Sequence, residues 1–178
     1  MKIAVVSCSS AEDSVSRRAA TAVADSLSPL VDSVEFYDVT SIPNFRVSDQ
    51  KMNDVPAEMT TLFDAIGASD GVVFSYPIYC YTASGTTKAV TELLGPQLAN
   101  KPVATVVAAG SLRSHLATGD LHLSMMFEQE TFCFPRSVLV TRSDLEGETF
   151  NTEVSKRIGK LAKHFVSFTK CLVEYEAE

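Results

Sequence analysis

The chain has 178 residues, 46% of them hydrophobic and 21% charged, enough for one substantial core and too few to make a second domain the expectation. Fifteen Lys and Arg against 22 Asp and Glu give a formal net charge of −7, which repels phosphate backbones at long range and sets nucleic acid aside as a partner. Four scattered cysteines (Cys8, Cys80, Cys133, Cys171) without CxxC or Cys/His ligand spacing, a polar Ser7 too early for a signal peptide and no apolar run near the ~20 residues of a bilayer span predict a cytoplasmic, thiol-reduced protein without a metal site or membrane segment, one domain over 1–178.

Ile3 to Val6 is a short apolar run ending at small polar residues, and Val15, Ala19, Val23 and Leu27 then recur at helical spacing, which reads as strand, loop and helix. Residues 34–39 read as a second strand, 40–54 as a polar connection, and 55–66 as a helix with Pro56 in its first turn, where a missing N–H costs nothing. Residues 71–75 form a third strand bounded by Asp70-Gly71 and Pro77. Ser84 can cap the helix after it, whose apolar positions include Val90, Leu93 and Leu94 and which Gly95-Pro96 stops. Residues 103–108 show little polar alternation, the pattern of a strand covered on both faces, and Gly110 follows at its exit. Residues 116–129 read as helix, 138–140 as a last strand, and 151–174 as an amphipathic helix through Val154, Ile158, Leu161, Phe165 and Phe168. Strands alternating with helices in this way predict an α/β fold, a parallel sheet between helical layers with right-handed crossovers.

If the first and third strands are neighbours where the winding reverses, three loops converge at one sheet edge: 8–14, 76–83 and 109–114. In the first, Ser9, Ser14 and Ser16 offer hydroxyls, and the helix beginning at Val15 offers free amides and a positive dipole end, a seat for a phosphate. The alternative is serines that simply cap a helix. In the second, Tyr79 and Tyr81 carry flat π-surfaces able to border an isoalloxazine ring, beside Pro77 and Ile78, while Ser84-Gly85 allow close backbone approach. The alternative is a tyrosine pair packed on the sheet rim. In the third, Gly110-Ser111 can present amides to a ring edge where negative charge grows on reduction, or can be an ordinary turn.

The loop Cys8-Ser9-Ser10-Ala11 with Ser14 and Ser16, the stretch Pro77-x-Tyr79 with Ser84-Gly85-x-x-Lys88, and Ala109-Gly110-Ser111 followed by His115-Leu116 and Asp120 carry a family resemblance. The chain resembles the NAD(P)H-dependent FMN reductases of flavodoxin-like fold, above all the alkanesulfonate-type reductases that feed reduced flavin to a luciferase-like monooxygenase. The resemblance implies a flavodoxin-like three-layer sandwich with a five-stranded parallel sheet. It also implies hydride transfer from NADPH or NADH to FMN, with Ser9, Ser14, Val15 and Ser16 on the FMN phosphate, Pro77, Ile78, Tyr79 and Ser84 beside the ring, and Gly110 and Ser111 along its edge. A glycine and an arginine usual in the family's phosphate loop correspond here to Cys8 and Ala11, which implies a looser hold on phosphate and a freely exchanging flavin. Leu121 stands where the alkanesulfonate-type reductases can carry a tyrosine.

Hydride transfer between stacked rings needs positioning and water exclusion more than an acid or base, so no catalytic side chain is assigned. Arg17, Arg18 and Arg113 are candidates to meet a nicotinamide-cofactor phosphate, with solvated surface arginine as the alternative; His115 and Lys88 read as structural and surface residues. The helix over 116–129 holds Leu121, Leu123, Met125, Met126 and Phe127, more apolar surface than one buried stripe needs, which predicts a homodimer or homotetramer; a fully buried helix is the alternative. A quinone or azo reductase on the same fold is a rival, as is a flavodoxin-type electron carrier, although the chain lacks the carriers' glycine-bearing Thr/Ser loop and has no Trp. A Cys8 thiolate phosphatase would need an arginine six positions on, where Ser14 stands.

Overall fold

The computed structural model describes residues 1–42 and 57–176. In chain order these form β1 (Lys2–Ser7), α1 (Val15–Leu27), β2 (Ser33–Asp38), α2 (Thr60–Gly67), β3 (Gly71–Tyr79), β4 (Thr82–Ala83) and α3 (Gly85–Leu98). There follow β5 (Pro102–Ala108), α4 (Gly119–Glu128), β6 (Phe132–Cys133), β7 (Val138–Val140), β8 (Leu145–Glu146), β9 (Thr149–Phe150) and α5 (Thr152–Glu176).

The sheet runs β2-β1-β3-β5, with β6 and β7 both against β5, every one of these pairs parallel. β3 is buried from Gly71 to Ile78 and β5 along its whole length, because successive side chains of a central parallel strand serve opposite covered faces. Val5, Val73 and Val106 join one core with α1 and α5, around Val23, Ile158 and Phe165. Val6, Phe74 and Val107 join the other with α2, α3 and α4, around Ile66, Leu94 and Met125. Winding reverses between β1 and β3, so the crevice of the fold opens beyond their carboxyl ends.

Seven strands make up the sheet, where five were expected. The fifth position is shared by two short segments, β6 opposite Pro102 and Val103 and β7 opposite Val106 to Ala108, and Pro135 lies in the gap, where it has no N–H to give a ladder. The remaining addition is β4, which folds back antiparallel on Ile78 and Tyr79.

β3 passes through Pro77 instead of ending before it: β1 stops opposite Ser75, so from there β3 is paired on one side only and tolerates proline as an edge strand does. α3 likewise passes through Gly95-Pro96 to Leu98. A proline this close to the helix end forfeits one backbone bond, while Leu94 before it and Leu98 beyond it are both wholly buried. The helix expected over 55–66 is a 3-10 turn, Ala57–Met59, leading into α2; 55 and 56, like 43–54 of the polar connection, lie outside the described residues. Residues 116–118 are turn, and α4 starts at Gly119. The β8–β9 hairpin had no counterpart in the sequence reading; it turns through Gly147 at φ 67, a left-handed conformation suited to glycine. Among the described residues no helix is long and apolar enough to cross a membrane.

Candidate functional site

Where β1 ends, the Cys8 amide donates to the Ser75 carbonyl at 2.8 Å and the chain turns into the loop before α1. Ser14 caps that helix from an extended backbone, its Oγ accepting the Arg17 amide at 3.1 Å and lying 3.0 Å from Ser16 Oγ. Ser9 Oγ accepts the Ala11 amide at 3.2 Å, and Ser75 Oγ donates to the Ser16 carbonyl at 2.7 Å. Ser9, Ser14 and Ser16 are 1%, 6% and 1% exposed. The amides of Val15 and Ser16 belong to the first helical turn and have no acceptor within the helix, so this corner presents donors and a positive dipole end to an anion.

The facing wall comes from the ends of β3 and β5. The Ala109 amide donates to the Val140 carbonyl at 3.0 Å, which fixes the turn into Gly110. A Cβ built on Gly110 meets no atom within 4 Å, so the backbone there stands open to a flat ligand. Beyond Tyr79 the β3–β4 hairpin turns through Cys80 and Tyr81 at φ 50 and 64. Two left-handed central residues define a type I′ turn, normally given to Asn and Gly because each costs a side-chain-bearing residue energy. The turn is held by the Ser84 amide on the Pro77 carbonyl at 3.2 Å and by the Thr82 hydroxyl on the Asp120 carboxylate. Tyr79 and Tyr81 remain 56% and 50% exposed.

The two walls enclose a groove of about 220 Å³ lined by Ser9, Ala11, Asp13, Ser14, Val15, Ser16, Pro77, Ile78, Tyr79, Ala108, Ala109, Gly110 and Arg142. Eight of the ten expected site residues are thus brought together. The other two stand apart from its walls: Ser84 caps α3 through the Thr87 amide at 3.2 Å, and Ser111 caps the 3-10 turn Leu112–Ser114 through the Arg113 amide at 3.3 Å. A larger cavity of about 420 Å³ lies between α1, α5 and the β8–β9 hairpin, with Arg18, Asp25, Phe150 and Ile158 in its wall. Size does not decide between them; convergent hydroxyls, a helix start and a flat backbone edge do, and only the smaller groove has all three.

Sequence reasoning missed Asp13 and Arg142. Arg142 Nη1 donates to Asp13 Oδ2 at 2.9 Å across 129 residues of sequence, and Arg18 Nη2 donates to Asp13 Oδ1 at 3.1 Å. Hydrogen bonding and charge from Arg142, then Arg18, hold the Asp13 carboxyl below its usual range. Arg18 also reaches the Gly147 carbonyl at 3.1 Å and Glu148 at 3.3 Å. Arg17 is ion-paired with Asp38 and donates to the Glu12 carbonyl at 2.7 Å and Thr40 at 3.0 Å. Neither Arg17 nor Arg113 lines the groove. Lys88 pairs with Glu92 at 2.7 Å on the surface of α3, and His115 is exposed outside the groove. Cys8 is fully buried, and desolvation followed by the charge of Asp38 pushes its thiol far up, so it is a packed side chain rather than a nucleophile.

A family model described as NADPH-dependent FMN reductase matches residues 1–144. The chain is 26% identical to the NADH:(hydroxy)cinnamate reductase subunit CrdA of Vibrio ruber over 158 residues, covering 82% of this chain and 76% of that one. Its fold matches an NADH:FMN oxidoreductase (EMOB) solved in the apo form, with a TM-score of 0.74, 19% identity and coverage of 93% of this chain and 88% of the other. It also matches a flavodoxin from the domain Archaea, with a TM-score of 0.65, 13% identity and coverage of 96% and 99%. The fold is flavodoxin-like.

Proposed function

The chain belongs to the family of NADPH-dependent FMN reductases, an oxidoreductase whose activity is NAD(P)H-dependent flavin reduction with FMN and NADH or NADPH as cofactors, and we propose that the groove between the α1 loop and the β3 and β5 ends is its flavin seat. The observation that carries the assignment is the convergence of Ser9, Ser14 and Ser16 with Pro77, Ile78, Tyr79 and Gly110 on one groove. The buried serine hydroxyls and the first-turn amides of α1 suit a phosphate in number and sign. Pro77 to Tyr79 and the open backbone at Gly110 suit a flat heterocycle. Bound there, FMN would supply a hydride acceptor, which no amino-acid side chain provides. The chain's own part is to hold the phosphate with the serine wall, to present Gly110 amide and backbone dipoles to the ring edge, and to exclude water by the apolar wall.

At about 220 Å³ the groove is smaller than the roughly 300 Å³ at which pockets begin to enclose a ligand. An open groove of this size suits a flavin that exchanges with solvent, and a freely exchanging reduced flavin is what delivery to a monooxygenase requires. It also supports a second copy of the chain as a cover. Leu112, Leu116, Leu123, Met126 and Phe127 are 64%, 68%, 56%, 46% and 82% exposed on α4 and the turns before it, so the fully buried helix does not describe this segment. A homodimer or homotetramer through this apolar face completes the proposal, as does a cytoplasmic location suited to free thiols.

Purified protein mixed with FMN and each nicotinamide in turn tests the reading by absorbance at the nicotinamide band: turnover that depends on added FMN is expected. Turnover with a quinone and no added flavin would move the assignment to a quinone reductase, and a tightly bound flavin without turnover would move it to an electron carrier. Sedimentation at micromolar concentration tests assembly, and a monomer contradicts it.

A further inference from the structure

Among the described residues Arg142 is the one Lys or Arg in the groove wall, and its setting differs from that of the arginines of α1. Its backbone is fixed by a reciprocal cap in which Asp144 accepts from the Thr141 amide at 2.7 Å and the Thr141 hydroxyl at 2.8 Å. Its side chain is 64% exposed, and its hydrogen bonds among the described residues all go to Asp13, at 2.9 Å from Nη1 to Oδ2 and 3.4 Å from Nη2 to the carbonyl. Arg17 and Arg18 have several partners each, and neither lines the groove. Ala11, in the groove wall, supplies no charge.

We infer that Arg142 is the side chain with which this protein reads the phosphate of its flavin, exchanging Asp13 for that phosphate when FMN enters. The inference rests on the groove being the flavin seat. An exposed guanidinium–carboxylate pair is weak, while a phosphate ester carries up to about two charges and three acceptor oxygens, matching the planar fork of arginine. Asp13 need not leave its place, because Arg18 Nη2 keeps its other carboxylate oxygen at 3.1 Å. Arg142 only swings from Asp13 towards the serine corner, with its backbone already anchored. Cationic recognition then comes from a turn after β7, while the α1 loop supplies hydroxyls and amides alone.

The test is a pair of titrations, FMN and riboflavin, against the native protein, Arg142→Ala and Arg142→Lys, read by quenching of flavin fluorescence. Riboflavin shares the ring and ribityl chain and lacks the phosphate. Arg142→Ala is expected to weaken FMN by about 10- to 100-fold, the range of a hydrogen-bonded charged contact, and to leave riboflavin unchanged, which also certifies the variant as folded. Arg142→Lys, which keeps the charge without the fork, is expected to fall between. Equal loss of both flavins, or no loss of FMN, overturns the inference. If the native protein binds both flavins equally well, the seat stands and the role of Arg142 falls; if it binds neither, the seat falls and Arg142 with it.

Discussion

On the α1 side of the groove the polar atoms are bonded to one another before a ligand arrives: Ser14 caps the helix and meets Ser16, Ser9 holds the Ala11 amide, and Ser75 fixes the Ser16 carbonyl. On the hairpin side Tyr79 and Tyr81 are half exposed, two residues sit in left-handed backbone, and the neighbouring Leu112 and Leu116 face solvent. The first wall is rigid and specific for charge. The second is apolar, reachable and built at a backbone cost, which fits the proposal that it seats a ring open to a nicotinamide.

The largest effect should come from spoiling the rigid wall without unfolding it. Ser14→Asp keeps a good helix cap but sets a carboxylate where the phosphate belongs; like-charge juxtaposition costs several kcal/mol, so FMN affinity should drop by about 100-fold or more. Calorimetric titration checks it, and unchanged FMN binding would place the phosphate elsewhere. The apolar wall should respond differently. Tyr79→Ala should weaken FMN and riboflavin alike, by about 10-fold, the scale of one aromatic stacking contact. A loss confined to FMN would erase the distinction between the walls.

The layering was legible in the sequence because apolar runs such as 103–108 and the spacing of Val154, Ile158, Leu161 and Phe165 state their periods locally. Where local signals misled, tertiary pairing had decided otherwise. Pro77 looks like a strand end until β1 is seen to stop at Ser7, opposite Ser75, and Pro96 looks like a helix end until Leu98 is seen buried. The serine corner was readable because its hydroxyls and its helix start are consecutive in the chain. Asp13 and Arg142 were not: 129 residues separate them, and nothing near Arg142 distinguishes it from a surface arginine. Ser84 and Ser111 illustrate the opposite difficulty, since a serine that caps a helix and a serine that lines a groove have the same local signature.

The hairpin offers a smaller effect of opposite sign. Replacing Cys80 with Asn and Tyr81 with Gly supplies the residues that a type I′ turn prefers, and relief of the two left-handed positions should raise stability by about 1 kcal/mol. Urea unfolding monitored by circular dichroism checks the direction. If that variant is also slower in flavin reduction at unchanged FMN affinity, the native pair is retained for contact at the apolar wall. Destabilisation would instead show that Tyr81 packing outweighs the turn geometry.

The smallest effect belongs to pH, and it arises on the polar wall. Arg142 first and Arg18 second lower the folded-state pKa of Asp13, whereas the unfolded chain titrates at the ordinary carboxylate value. The unfolded state therefore binds more protons between the two values, and stability rises with pH there. The contribution is complete above the ordinary carboxylate range and is lost as pH falls through the depressed value; the exposure of the pair to solvent keeps it small. Other carboxylates titrate in the same region, so the comparison is between native protein and Asp13→Asn. Their thermal midpoints should differ most above the carboxylate range and converge on acidification, and a constant difference would mean that Asp13 acts there by packing rather than by charge.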